Sequence, residues 1–375
     1  MADLTEAERL KFDLLADGLA VTDEARRHLL AATSDRDLTP ADYASTSGLI
    51  LVLGDDVWVN APIVDHNPNF VESPRHRLEL ADGSLVVRSG STEVPTRFWI
   101  PPAFHDATNA WGEDYTSYAF THTDRVRIAP IEGCAITCKF CDLPYQFRYR
   151  TKRVEGAVDA LHTAFADPIQ PAAHVLVSGG TPRPEDYGYV VDVYEAVIAA
   201  APPRTVDIMM VPFPEVLPLK HLDDLGLGEV SLNIELYGRE AARSNMRRKF
   251  DQGLDHYLDS LEQAASILGG ARVRSMLLVG LEPIEDTLAG VTAIAQRGCV
   301  PVLSPFRPDA STPLRDLPVP PAELLIEVYL RAREITQRHG VALGPECIPC
   351  SHNTLTLADT GCGDASVYHG HPNLV

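Results

Sequence analysis

Apolar and polar positions along the chain fall into three successive rhythms. From residue 1 to about 48, Leu10, Phe12, Leu14, Leu15 and Leu19 recur at helix-like intervals, which predicts helices. The period then shortens. "GLILVLGDDVWVNAPIV" (48–64) and "HRLELADGSLVVRSG" (76–90) read as strands, with Asp82-Gly83 between alternating runs as a hairpin turn. Residues 1–120 are therefore expected to form a small α+β appendage.

From Arg125 onward seven short apolar runs alternate with amphipathic stretches of helix length. The runs are "RVRIAPI", "HVLVSGG", "TVDIMMV", "EVSLNIEL", "RVRSMLLVGL", "CVPVLSPF" and "GVALG". Strands separated each time by a helix predict parallel pairing, because parallel strands need long crossovers. The expected fold class is α/β: a (βα) barrel of TIM type, full or partial, over 121–344, with the N-terminal appendage before it and a cysteine-containing segment, 345–375, after it. Such barrels carry their chemistry at the C-terminal ends of the strands.

Composition narrows the function classes. At 375 residues, 45% hydrophobic and 22% charged, the chain is neither a disordered tail nor a fibre. A net charge of −20 would repel a phosphate backbone, so no nucleic-acid partner is expected. The opening "MADLTEAERLKFDLLADGLA" lacks the layout of a signal peptide, and no apolar run approaches about 18 residues. The expectation is a cytoplasmic protein with no membrane partner. Thiols stay reduced there, so clustered cysteines point to metal binding or catalysis rather than disulfides.

Three of the seven cysteines, Cys134, Cys138 and Cys141, lie in "EGCAITCKFCDLPYQF" directly after the first barrel run. Three thiolates on one loop can hold three irons of a [4Fe–4S] cube and leave the fourth open to a small molecule. A zinc knuckle would want a fourth Cys or His nearby, and none follows. Tyr145, Phe147 and Tyr149 alternate just beyond and are expected to pack as core beneath the cluster.

The Cys-x3-Cys-x2-Cys spacing, with Phe140 next to last, resembles the signature of the radical S-adenosylmethionine (SAM) superfamily. The likeness spans Arg125 to Gly344. "VSGGTP" (177–182) is similar to that family's Gly-Gly-Glu turn, with Thr181 in place of the acidic residue. The segment 299–316 resembles the branch containing biotin synthase, lipoyl synthase, the hydrogenase-maturation enzymes and 3-methylornithine synthase. The resemblance implies a radical SAM enzyme that cleaves SAM reductively at a [4Fe–4S] cluster held by Cys134, Cys138 and Cys141. It implies SAM contacts from Phe140, Gly179, Gly180, Asn233 and Glu235, and a carboxylate grip from Arg247 or Arg248. "LLVGLEP" is similar to an adenine-contacting turn, although Glu282 follows Gly280 by only two places. A small-molecule substrate and an external electron donor such as flavodoxin or ferredoxin would be the partners.

A second group, Cys347, Cys350 and Cys362, follows the last barrel run and is expected on the same rim as the first. It is open to three readings: an auxiliary iron–sulfur cluster that would permit sulfur insertion, a structural zinc completed by His352, His369 or His371, or reactive or inert thiols. The rivals at the level of function are a non-catalytic zinc scaffold and a thiol redox enzyme using Cys347 and Cys350. Cys299, at the start of a run, reads as a small buried hydrophobe, and a lone histidine such as His174 as a surface or core residue.

Overall fold

The computed structural model describes residues 4–33, 36, 39, 48–212, 217–358 and 372–375. The chain opens with α1 (Glu6–Asp17), whose first turn is closed by a reciprocal capping box between Thr5 and Glu8. A short strand β1 (Ala20–Val21) and α2 (Asp23–Ala32), capped by Thr22, follow. Strands β2 (Gly48–Leu53), β3 (Val57–Pro62), β4 (His76–Ala81), β5 (Ser84–Ser89) and β6 (Thr92–Phe98) complete a six-stranded sheet in the order β1-β4-β5-β6-β2-β3. The expected hairpin is present: Ala81 pairs with Ser84 across Asp82 and Gly83, both at positive φ. That is the backbone a two-residue primed turn requires.

The second sheet carries the site. It contains β7 (Ala119–His122), β8 (Arg125–Ile128), β11 (His174–Ser178), β12 (Val206–Met210), β13 (Leu227–Leu232), β14 (Val273–Val279) and β15 (Val300–Pro305). Their order is β15-β14-β13-β12-β11-β8-β7; β8 and the strands from β11 to β15 pair in parallel, while β7 is an antiparallel edge hairpinned to β8. Between β8 and β11 the small pair β9 (Ile131–Glu132) and β10 (Arg150–Thr151) brackets α3 (Leu143–Gln146). Helices α4 (Val154–Phe165), α5 (Tyr187–Ala200), α6 (Leu219–Leu225), α7 (Arg239–Asn245), α8 (Arg247–Gln252), α9 (Leu254–Leu268), α10 (Ile284–Ala295) and α11 (Ala322–His339) supply the crossovers. The result is a curled, partial βα barrel. Six of the seven expected runs are parallel strands. The seventh, "GVALG", contributes a single parallel bridge between Gly344 and Val302.

Strand residues alternate between two environments. Val126, Ile128, Val175, Val177, Val206, Ile208, Val230 and Leu232 are buried in the main core. Arg125, Arg127, His174, Asp207, Glu229 and Arg274 occupy the opposite face, towards the barrel interior. The described C-terminal residues run beneath the barrel, where Ile348 packs with Ile50, Val52 and Trp58 of the first sheet and with Trp99, just after β6. The buried Lys11 ammonium donates to the carbonyls of Ser351 (3.0 Å) and Thr356 (2.5 Å). Among the described residues no helix is long and apolar enough to cross a membrane.

Candidate active site

The loop bearing Cys134, Cys138 and Cys141 leaves the C-terminal end of β8, where barrel chemistry is expected. Its shape is fixed from three sides. The Thr181 amide donates to Cys134 Sγ at 3.0 Å, and the Ala135 amide donates to the Thr181 carbonyl at 2.9 Å. The Lys139 amide reaches the Asn245 carbonyl at the end of α7, 2.8 Å away. Gly180 lies so close that a Cβ there would sit 1.9 Å from the Gly133 carbonyl oxygen and 2.7 Å from Cys134 Cα. Gly179 has ordinary room, its nearest neighbours being 3.6 Å away. The glycine pair thus does unequal work: Gly180 makes the approach of the turn to the cysteine loop possible.

Cys138 is buried with Leu236, Ala242 and Met246, and Phe140, Phe250 and Leu278 border this apolar bed. Burial, and then the Glu235 carboxylate, push the Cys138 thiol well above its ordinary range despite the Lys249 ammonium nearby. Burial and Asp142 push the Cys141 thiol up to about 12. Thiolates in such a bed call for a cationic centre to balance them. Among the described residues only Asp124, His174, Cys347 and Cys350 bring three or more ligand atoms within 4.8 Å of one another. At least one pair of the three loop sulfurs is therefore more than 4.8 Å apart, against the roughly 3.8 Å that a zinc ion with 2.3 Å Zn–S bonds would impose. That spread fits a larger, sulfide-bridged group better than one ion.

Asn233 and Glu235 follow β13 towards the same end. Asn233 Oδ1 accepts from the Met276 amide (3.1 Å) and the Ser231 hydroxyl (2.7 Å). Glu235 holds a left-handed φ of 66° and forms an ion pair of 2.8 Å with the buried Lys249. Arg247 points elsewhere: it is exposed on α8 and paired with Asp251 at 3.0 Å. Lys249, which sequence reasoning passed over, is the cation that α8 delivers to the site. Glu282 is a brace, accepting from the Gly238 amide (2.7 Å) and the Thr287 hydroxyl (3.1 Å). Of the aromatics expected beneath the loop, Tyr145 and Phe147 are 40% and 42% exposed. Tyr145 lies on the short helix α3 and Phe147 just after it, both at the surface, so the core expectation fails for both.

Behind the loop the barrel holds a polar zone. Arg125 and Arg127 are half-buried and find no hydrogen-bond or ion-pair partner among the described residues. His122 Nε2, His352 Nε2, Arg307 Nε and both polar atoms of the Asn60 side chain are buried without a hydrogen-bond partner. These groups share one electrostatic neighbourhood: His352 feels Arg125 and Arg307, and His122 feels Arg125, Arg127 and His352. Buried polar atoms left unpaired are costly, so these call for a polar partner, water or ligand.

The second cysteine group corrects an expectation. Cys347 and Cys350 do not share the rim of the first loop. They approach Asp124, which precedes β8, and His174, which opens β11, at the N-terminal ends of the strands. Strands of four and five residues separate the two ends by roughly 10–17 Å. The chain doubles back after Gly344 and passes under the barrel. Cys362, His369 and His371 lie outside the described residues. His352 donates from Nδ1 to the Pro349 carbonyl at 2.9 Å and stands apart from the pair. Cys299 is fully buried, as a small hydrophobe would be.

No known family model matches this sequence, and no curated protein matches it. Among solved structures it is similar to HydG, a maturase of the [FeFe]-hydrogenase, at 15% identity and a TM-score of 0.47, covering 58% of this chain and 50% of that one. It is similar to the FeFe-hydrogenase maturase HydG from Carboxydothermus hydrogenoformans at 18% identity and a TM-score of 0.45, covering 59% and 54%. It is also similar to a radical SAM methyltransferase from Sphaerobacter thermophilus at 12% identity and a TM-score of 0.44, covering 71% and 74%. The chain spans about half the length of the two maturases.

Proposed function

We propose that this chain is a radical SAM enzyme whose [4Fe–4S] cluster is held by Cys134, Cys138 and Cys141. The observation that carries the reading is the cysteine loop itself: three thiols at the C-terminal end of β8, too widely spread for one ion, with Cys134 clamped by Thr181 and Gly180. When bound, the cluster and SAM together supply a 5′-deoxyadenosyl radical that removes hydrogen from a substrate carbon. The residues of this chain position and enclose. Phe140 borders the bed of Cys138, Gly180 abuts Cys134, and Lys249 pairs with the Glu235 carboxylate; together with Gly179 and Asn233 these residues would hold SAM. The electron comes from an external donor of the flavodoxin or ferredoxin kind.

The unpaired donors of Arg125, Arg127 and Arg307 favour a small anionic substrate, a carboxylate or a phosphate, because guanidinium groups match both bidentately. Sulfur insertion finds less support, since Cys347 and Cys350 stand at the far end of the barrel with donor atoms packed too closely for a cluster.

Anaerobic reconstitution should give about four irons per chain, and SAM with dithionite should yield 5′-deoxyadenosine, both abolished by Cys138→Ser. Small carboxylates or phosphates should raise that yield in the native chain, and Arg127→Leu should lose the increase while keeping substrate-free cleavage. A reconstituted chain that binds four irons but forms no 5′-deoxyadenosine would falsify the reading.

A further inference from the structure

At the N-terminal ends of the parallel strands, four buried side chains from three remote parts of the chain converge. Asp124 comes from the β7–β8 turn, His174 from the first position of β11, and Cys347 and Cys350 from the C-terminal segment. His174 Nε2 lies 3.3 Å from Asp124 Oδ1. Cys347 Sγ lies 3.6 Å from Asp124 Oδ1 and 3.7 Å from His174 Nε2. Cys350 Sγ lies 3.8 Å and 3.4 Å from the same two atoms.

These are the edges of a small tetrahedron. With Zn–S bonds of about 2.3 Å and Zn–N or Zn–O bonds of about 2.0–2.1 Å, tetrahedral donors stand about 3.4 Å apart for nitrogen and oxygen and about 3.6 Å apart where sulfur meets either. An iron–sulfur cluster spreads its outer ligands over several irons, which atoms all within 4.8 Å cannot do.

We propose that Asp124, His174, Cys347 and Cys350 bind one divalent ion, zinc by its donor set, as a structural clamp. Two soft thiolates select zinc over magnesium or calcium, and four protein ligands leave no open position for catalysis. The ion ties positions up to 226 residues apart and fastens the C-terminal segment beneath the barrel. The turn that presents Asp124 is built for it. Thr123 is held at a φ of 62°, unusual for a β-branched residue, and its carbonyl accepts from the Trp99 indole at 3.0 Å. Zinc with two thiolates, one carboxylate and a neutral imidazole carries one net negative charge, and Arg125 and Arg274 lie near enough to Cys350 to offset it.

The clamp stands independently of the radical reading, and the test separates them. The full-length chain, produced with zinc in the medium, should contain about one zinc per chain. That zinc should survive loss of the iron cluster in air and persist in Cys138→Ala, and it should fall to a small fraction in Cys350→Ala. X-ray absorption at the zinc edge of the unaltered chain should show two sulfur and two nitrogen or oxygen neighbours, which decides the matter even where a variant does not fold. Zinc absent from the native chain, a first shell of four sulfurs or of none, zinc retained in Cys350→Ala, or a second set of irons lost with Cys350 would each overturn the clamp. Failure of the radical reading would instead appear as a missing first iron cluster with the zinc intact.

Discussion

Gly180 touches the cysteine loop so closely that its missing side chain is a requirement of the site. An added methyl meets the Gly133 carbonyl at 1.9 Å, and both segments are backbone that cannot swing aside. Gly180→Ala should therefore cost about 2–3 kcal/mol, the upper part of the range for overpacking, and lower iron retention. Gly179→Ala, with 3.6 Å of clearance, should stay within about 0.5 kcal/mol and bind iron normally. Thermal unfolding and iron per chain measure both, and equal behaviour of the two variants would count against the clamp on Cys134. Lys249 and Glu235 make a second residue-scale case. Removing one member of a buried pair strands the other, so Lys249→Met should destabilise by about 3 kcal/mol, and adding Glu235→Gln should recover most of that loss. Denaturant titration of the single and double variants gives the coupling directly.

At the scale of elements, the hairpin of β4 and β5 shows local chemistry fixing a register. Gly83 sits at a φ of 82°, so Gly83→Val should cost about 1–2 kcal/mol while leaving iron content unchanged, since the turn belongs to the first sheet and the cysteine loop follows β8 of the second. Elements of this kind were legible in the sequence. The parallel strands were too, because strands covered on both faces read as short, nearly continuous apolar runs between helices. "AFTH" was not: β7 is four residues long and exists because it hairpins to β8, a tertiary fact. The first cysteine loop was legible as a motif because its three thiols are neighbours in sequence. The second site was only half legible. The Cys-x2-Cys pair left a cluster, an ion and plain thiols open, and an ion would need two more ligands, but Asp124 and His174 lie 50 residues from each other and 173 to 226 from the cysteines. Only the doubling back of the chain after Gly344 brings them together. A histidine opening an otherwise apolar strand was the available signal, and it is too common to stand alone. Lys249 was missed for a similar reason: the pattern "MRRKFD" offers three cations, and the facing of α8 alone decides which one turns inward.

For the whole molecule, two buried bases set how stability responds to pH. Burial and the adjacent Arg75 hold the His76 imidazole down at about 4, with Asp17 only partly opposing them. Burial holds the Lys11 ammonium down at about 7, against a smaller upward pull from Glu8. In each case the unfolded chain binds the proton more readily than the native one. Stability therefore falls as pH falls, between about 10.5 and 7 for Lys11 and between 6.5 and about 4 for His76. The His76 window should remove on the order of 2 kcal/mol after allowance for solvent screening. Acidification also relieves the self-repulsion of a chain carrying a net charge of −20, an effect of opposite sign. Comparison of the native chain with His76→Gln cancels that contribution, because both carry the same background charge. Urea titrations at pH 7.5, 6 and 4.5 should show the native chain losing stability faster than the variant below pH 6.5. Parallel curves would mean that the imidazole takes up its proton inside the fold, and that α1 and β4 part more easily around His76 than its burial implies.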